Sequence, residues 1–129
     1  MQIHQSAEDY LETILMLTQR MGKVRSIDVV NELGFTKASV SIAMKKLREN
    51  GYIAVDGEGN LTLLEPGLEI AQRIYSRHQL LTHFFVQLGV DEQTAAEDAC
   101  KAEHILSEQT LEKIRESALR TDAAAQEDE

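Results

Sequence analysis

The chain is poor in the residues that punctuate or cross-link a fold. Among its 129 residues there are one proline, one cysteine and no tryptophan, and aromatics make up only 5%. A single cysteine excludes an internal disulfide, so a reducing cytoplasm is the expected compartment. No apolar run approaches the roughly 20 residues of a membrane span, and no leader-like stretch precedes the first helical pattern. Neither membrane insertion nor a signal peptide is therefore expected. One proline among many Ala, Leu, Glu and Gln residues points to a mostly helical protein. Hydrophobic residues at 43% are enough for a globular core and more than a disordered chain carries.

Basic charge is also scarce. The net charge is −9, which as an average argues against nucleic-acid binding. The distribution reverses that reading. Residues 20–50 carry seven Lys or Arg against three acids, whereas residues 91–129 carry four against twelve. A basic front and an acidic back call for a segment-by-segment reading.

In the front segment, Ser6 opens a helix with acids in its first turn and an apolar stripe of Leu11, Ile14, Leu15 and Leu17, ending near Gly22. A short helix from Ser26 is closed by Gly34, and Thr36 caps a third helix that Gly51 ends. Two helices joined by a tight Gly-containing turn form a helix-turn-helix. In the third helix Val40, Ala43, Met44 and Leu47 follow the spacing of a buried face. The opposite face shows Lys37, Ala38, Ser39, Ser41, Ile42, Lys45 and Lys46. Small residues at its start allow close approach to base edges, lysines further along reach phosphates, and Ile42 is placed to meet a thymine methyl. Arg25, Ser26 and Thr36 complete the candidate DNA-binding set. Residues 52–55 and 61–64 are predicted strands around a turn, Asp56-Gly57-Glu58-Gly59-Asn60, so the front half reads as a winged helix. Acids at the wing tip repel phosphate. A long helix then starts at Glu65-Pro66-Gly67 and runs to about Leu88. Asp91 caps the next, and Ser107 caps a last one through Leu119, followed by a small, acidic, frayed stretch.

Cys100-Lys101-Ala102-Glu103-His104 lies in a pattern that reads as helix over 92–105. Residues three and four apart share a helix face, so Cys100, Glu103 and His104 are predicted to converge. A thiolate, a carboxylate and an imidazole are the side chains that bind transition metals. Alone, the trio has a second reading, an ordinary helix with Cys100 as a small buried hydrophobe. Asp9 and Glu12, three apart on the first helix, share a face, and the ordinary role of acids in a first turn is to complement the helix dipole.

Glu8-Asp9-Tyr10-Leu11-Glu12, Arg77-His78-Gln79-Leu80-Leu81 and Cys100-Lys101-Ala102-Glu103-His104-Ile105-Leu106-Ser107 together resemble the metal-dependent repressors of the diphtheria toxin repressor family, with the helix-turn-helix between them in the expected order. The resemblance spans about residues 6–119. It implies a winged helix-turn-helix over 1–65 and a helical metal-binding and dimerisation domain over 66–120, which leaves the acidic stretch 121–129 as a tail. It implies metal ligands at Asp9, Glu12, His78, Cys100, Glu103 and His104, and Mn²⁺ or Fe²⁺ as corepressor, with Co²⁺, Ni²⁺ or Zn²⁺ able to substitute in vitro. It further implies a homodimer on a palindromic operator that controls metal-uptake genes. Asp9, Glu12 and the absence of an SH3-like third domain look like the manganese branch, whereas Cys100 looks like the iron branch. Thr82 and Ala96 stand where iron-branch regulators place ancillary ligands, and neither is a good ligand.

Six ligand-type side chains from three distant helices repel one another unless a cation sits among them. An ion needing both sets is expected to tie the first helix to the back half and so fix the spacing of two recognition helices. The competing reading is a winged-helix regulator of a small organic ligand, in which Asp9→Ala and His104→Ala leave DNA affinity intact. An enzyme using Cys100 and His104 is not expected, because no oxyanion-hole loop or orienting third group accompanies them.

Overall fold

The computed structural model describes residues 5–127. In chain order the elements are α1 (Gln5–Met21), α2 (Ser26–Leu33), α3 (Lys37–Glu49), β1 (Ile53–Val55), β2 (Leu61–Leu63), α4 (Glu65–Gln87), α5 (Glu92–Ala102) and α6 (Glu108–Glu127). The chain divides into two compact units, Met1–Arg73 and Ile74–Glu129, with the boundary inside α4. The first is a winged helix-turn-helix and the second is helical, the fold class predicted. No helix among the described residues is long and apolar enough to cross a membrane.

In the first unit the stripe Leu11, Ile14, Leu15 and Leu17 of α1 is buried, as are Val40, Met44 and Leu47 of α3. Helix α1 is described from Gln5, with Ser6 in its first turn. The tight turn between α2 and α3 depends on Gly34, whose φ of 72° is left-handed and whose N–H donates to Val30 O at 2.9 Å. Only a residue without Cβ takes that conformation freely. Thr36 then caps α3, its Oγ1 accepting the Ser39 N–H at 3.1 Å. Tyr10 and Phe35 meet edge to face with ring centroids 5.9 Å apart, fixing α1 against this turn.

The hairpin pairs Ile53 with Leu63 and Val55 with Leu61, and an isolated bridge adds Arg25 opposite Asn60. Its tip is organised by Asp56, whose Oδ1 accepts the N–H groups of Glu58 and Asn60 at 2.9 Å while Oδ2 accepts from Asn60 Nδ2 at 3.0 Å. These bonds, the Asn60 N–H foremost, hold the Asp56 carboxyl below the usual carboxylate range. A depressed folded-state pKa contributes stability that is present above the ordinary Asp value and lost as pH falls through the folded value. An NMR titration should place the Asp56 midpoint below about 3.9. A midpoint at or above that value would mean the turn is not held this way in solution.

In the second unit Leu81 of α4, Ala99 of α5 and Leu111 of α6 form the buried centre, with Leu80, Phe85, Ala102, Leu106 and Ile114 packed around it. Alanines at 95 and 99, both fully buried, let α5 approach closely. Asp91 accepts the Thr94 N–H at 3.1 Å and Ser107 accepts the Thr110 N–H at 3.2 Å, so both expected caps form.

Two helix ends differ from the pattern. Helix α5 stops at Ala102, so Glu103 is its C-cap and His104 lies in the following turn, not on the helix over 92–105. Helix α6 continues through Glu127, beyond the Leu119 expected, because residues 121–127 contain no breaker and include the strongest helix former, alanine. Residues 128 and 129 of the expected tail lie outside the described residues.

Candidate metal centre and nucleic-acid interface

The chemistry of the second unit concentrates on Glu103. Its side chain is fully buried, and the neighbouring His104 side chain is 2% exposed. His78 Nδ1, on α4, lies 3.0 Å from Glu103 Oε2, and His104 Nε2 lies 3.4 Å from Glu103 Oε1. Oε1 makes no hydrogen bond. A buried carboxylate needs compensation, and here each oxygen faces an imidazole nitrogen. The separations also fit a shared ion: ligand atoms bound at about 2.1 Å sit about 3.0–3.4 Å apart in octahedral or tetrahedral geometry. Imidazole and carboxylate suit Mn²⁺, Fe²⁺ and later divalent metals. These residues fit the cation the motifs imply.

Arg77 organises the turn that carries this group. Its Nη1 donates to Glu103 O at 3.1 Å, and its Nη2 pairs with Glu108 at the start of α6. That contact joins α4 to both sides of the 103–107 turn. The sequence reading did not single it out, since its partners are 26 and 31 residues away.

The other predicted ligands are placed as follows. Cys100 lies on α5 and is exposed, which removes its reading as a buried hydrophobe. Asp9 and Glu12 lie on α1 in the first unit. Glu12 is only 6% exposed, which a solvated dipole acid does not require. Burial, and next to it the Asp9 carboxylate, holds the Tyr10 hydroxyl above its usual range.

On the first unit's outer face, Thr36, Lys37, Ala38, Ser39, Ser41, Lys45 and Lys46 are all exposed, as is Arg25, while Ser26 is half-buried. Ile42 is 58% exposed, off the core stripe as the spacing requires. Ser26, Ser41, Lys45 and Val55 line a hollow of about 230 Å³ together with Arg48. Arg48 was missed in the sequence reading, though its spacing of three from Lys45 and seven from Ser41 places it on their face. The guanidinium of Arg25 lies against Gly59, where an added Cβ would sit 3.2 Å from Nη2. The wing therefore carries a positive charge that its own residues lack.

The sequence description "Iron dependent repressor, N-terminal DNA binding domain" matches residues 2–61, and "Iron dependent repressor, metal binding and dimerisation domain" matches residues 64–121. A HTH-type transcriptional regulator of Methanocaldococcus jannaschii is 37% identical over 113 residues, 86% of this chain and 90% of its own. The chain belongs to the iron-dependent repressor family. It is thus a member of a family of metal-dependent transcriptional repressors, not of enzymes. Other relatives within the family include the HTH-type transcriptional regulator MntR of Lysinibacillus sphaericus, 33% identical over 84% of this chain and 78% of its own. Among solved structures, a manganese-dependent transcriptional repressor in complex with manganese superposes with a TM-score of 0.79 at 27% identity. That match covers 87% of this chain and 52% of the other, so the chain spans about half the length of this solved family member.

Proposed function

We propose that the chain is a cytoplasmic repressor that binds a palindromic operator as a homodimer when loaded with Mn²⁺ or Fe²⁺, and that it controls metal-uptake genes. The buried Glu103 carboxylate between His78 and His104 carries this reading, because it is a ligand set within a fold whose other unit presents a recognition helix. We extend the set to Cys100, Asp9 and Glu12 on residue type and family pattern. A divalent ion would supply the positive charge that these carboxylates, imidazoles and the thiolate share. The thiolate favours Fe²⁺ and later metals, whereas the carboxylates and the likeness to a manganese-dependent repressor solved with manganese favour Mn²⁺.

On the DNA side, α3 enters the major groove. Ala38, Ser39 and Ser41 permit close approach, Ile42 meets a thymine methyl, and Thr36, Lys37, Lys45, Lys46, Arg25 and Ser26 hold the phosphates. Metal and operator affinities are linked and rise by the same factor, with a coupling of about 1–3 kcal/mol.

The test is selection of DNA from a random duplex pool with Mn²⁺ present, followed by gel shift of the selected sequence with and without chelator. A two-fold symmetric site, lost on chelation and regained with Mn²⁺ or Fe²⁺, is expected. Retention that ignores the chelator would refute metal control.

A further inference from the structure

The recognition helix α3 has a hollow on each flank, and hydroxyls and cations line both. On the α1 side, Ser6, Tyr10, Ser39 and Lys46 border a space of about 310 Å³. On the wing side, Ser26, Ser41, Lys45 and Arg48 border one of about 230 Å³, with Val55 of β1 as a wall. Arg48 has no part in the DNA-contacting set proposed above.

Arg48 lies in the last turn of α3. The ordinary task of a cation there is to offset the negative end of the helix dipole. The hollow goes beyond that task. Lys45 and Arg48 are three apart, share a helix face and border one space, where their like charges repel. Arg20, Arg73, Arg77 and Arg115 each pair with a carboxylate. Lys45 and Arg48 form no ion pair among the described residues, and none of the described residues lining the hollow is acidic. The Ser26 and Ser41 hydroxyls likewise make no hydrogen bond among the described residues. Two positive charges and two hydroxyl donors are thus left around one space, and an anion with several acceptor oxygens satisfies all four.

Placement selects the anion. A helix seated in the major groove, about 12 Å wide, has a phosphate row on either side. Positions 39, 42, 43 and 46 of α3 border one hollow, and positions 41, 44, 45 and 48 border the other, on the opposite flank. The wing-side hollow is the more strongly cationic, with two positive side chains against one.

We propose that Arg48, with Lys45 and the hydroxyls of Ser26 and Ser41, grips one backbone phosphate of the DNA strand on the wing side of α3. The guanidinium supplies the bidentate contact that its planar fork allows, and Lys45 adds a second charge. The grip fixes the register of α3 in the groove and carries no sequence information itself. This inference rests on α3 being the DNA-reading element and is independent of metal control.

The experiment compares the unaltered chain with Arg48→Gln on the operator selected as above and on an unrelated duplex, by fluorescence anisotropy over a range of salt. Each neutralised phosphate contributes about −0.9 to the slope of log K against log salt. Arg48→Gln should therefore flatten the slope by about 0.9 for each bound subunit. It should weaken binding roughly eightfold per subunit at 0.1 M salt, on both duplexes alike. Arg48→Lys should restore most of the slope, because the charge returns, but only part of the affinity, because the fork does not. Lys113→Gln, which removes a cation of α6, should change neither. Uncharged methylphosphonate linkages, placed one at a time in the selected operator, then locate the phosphate. At one position in each half-site the unaltered chain should lose affinity while the Arg48→Gln chain does not. An unchanged slope, a loss confined to the selected duplex, or methylphosphonate losses equal in both chains at every position would overturn the proposal and leave Arg48 a helix-end cation. Metal control is read separately, from the chelator, whereas the slope on the unrelated duplex needs no metal.

Discussion

Glu103→Gln should abolish metal-dependent operator retention while leaving the fold in place. The substitution keeps the shape of the side chain and removes the charge on which His78 and His104 converge. Losing an outer-shell partner typically lowers metal affinity about 10–100-fold. Losing the central carboxylate should exceed that range, and Mn²⁺ binding followed by electron paramagnetic resonance or calorimetry measures it directly. Stability without metal should change little, because the amide keeps the size of the side chain and its oxygen and NH₂ can still meet the His78 and His104 ring nitrogens. A chain with Glu103→Gln that still needs Mn²⁺ at wild-type concentration to hold its operator would remove Glu103 from the ligand set. Melting of the apo variant well below wild type would instead assign Glu103 a structural role.

Gly67→Ala is expected to destabilise the first unit by about 3 kcal/mol, the upper part of the usual overpacking range. On propensity alone the change should help, since Gly inside a helix is about 1 kcal/mol worse than Ala. Packing reverses the sign. An added Cβ collides with the carbonyl oxygen of Tyr52 and lies 3.4 Å from Leu11 Cδ2. That carbonyl is held in place by accepting the Leu64 N–H at 3.0 Å, so it cannot yield cheaply. Thermal unfolding should fall by roughly 10 °C. An unchanged or higher melting temperature would show that the first turn of α4 stands further from Tyr52 than described.

The parts of the fold legible in the sequence were those written in local chemistry. Gly34, Thr36, Asp91 and Ser107 each mark a helix end through a backbone preference or a cap that acts within a few residues. The exposed Ile42 was legible because the buried spacing of Val40, Met44 and Leu47 leaves it on the other side. The end of α5 was not legible. Nothing in Lys101-Ala102-Glu103-His104-Ile105 breaks a helix, and the turn there is held by Arg77 through the Glu103 carbonyl. That contact also explains why Glu103 meets His78 from a turn instead of a helix face. The contact of His83 with Asp122 was similarly hidden, since 39 residues separate them and neither fits a local motif. Composition alone made residues 121–129 look frayed, whereas Asp122 is held by α4 and the alanines after it continue the helix.

Beyond that contact, Ala123, Ala124, Ala125 and Gln126 all show their side chains to water. With these side chains exposed, the backbone ladder and alanine's own preference sustain those last turns. Amide exchange there should therefore be fast and set by local opening, while the same helix before Ser117, anchored by Leu111, protects its amides nearly as well as the whole domain does. One helix thus contains two kinetic regimes, and the carboxylate at 122 stands at the border between them.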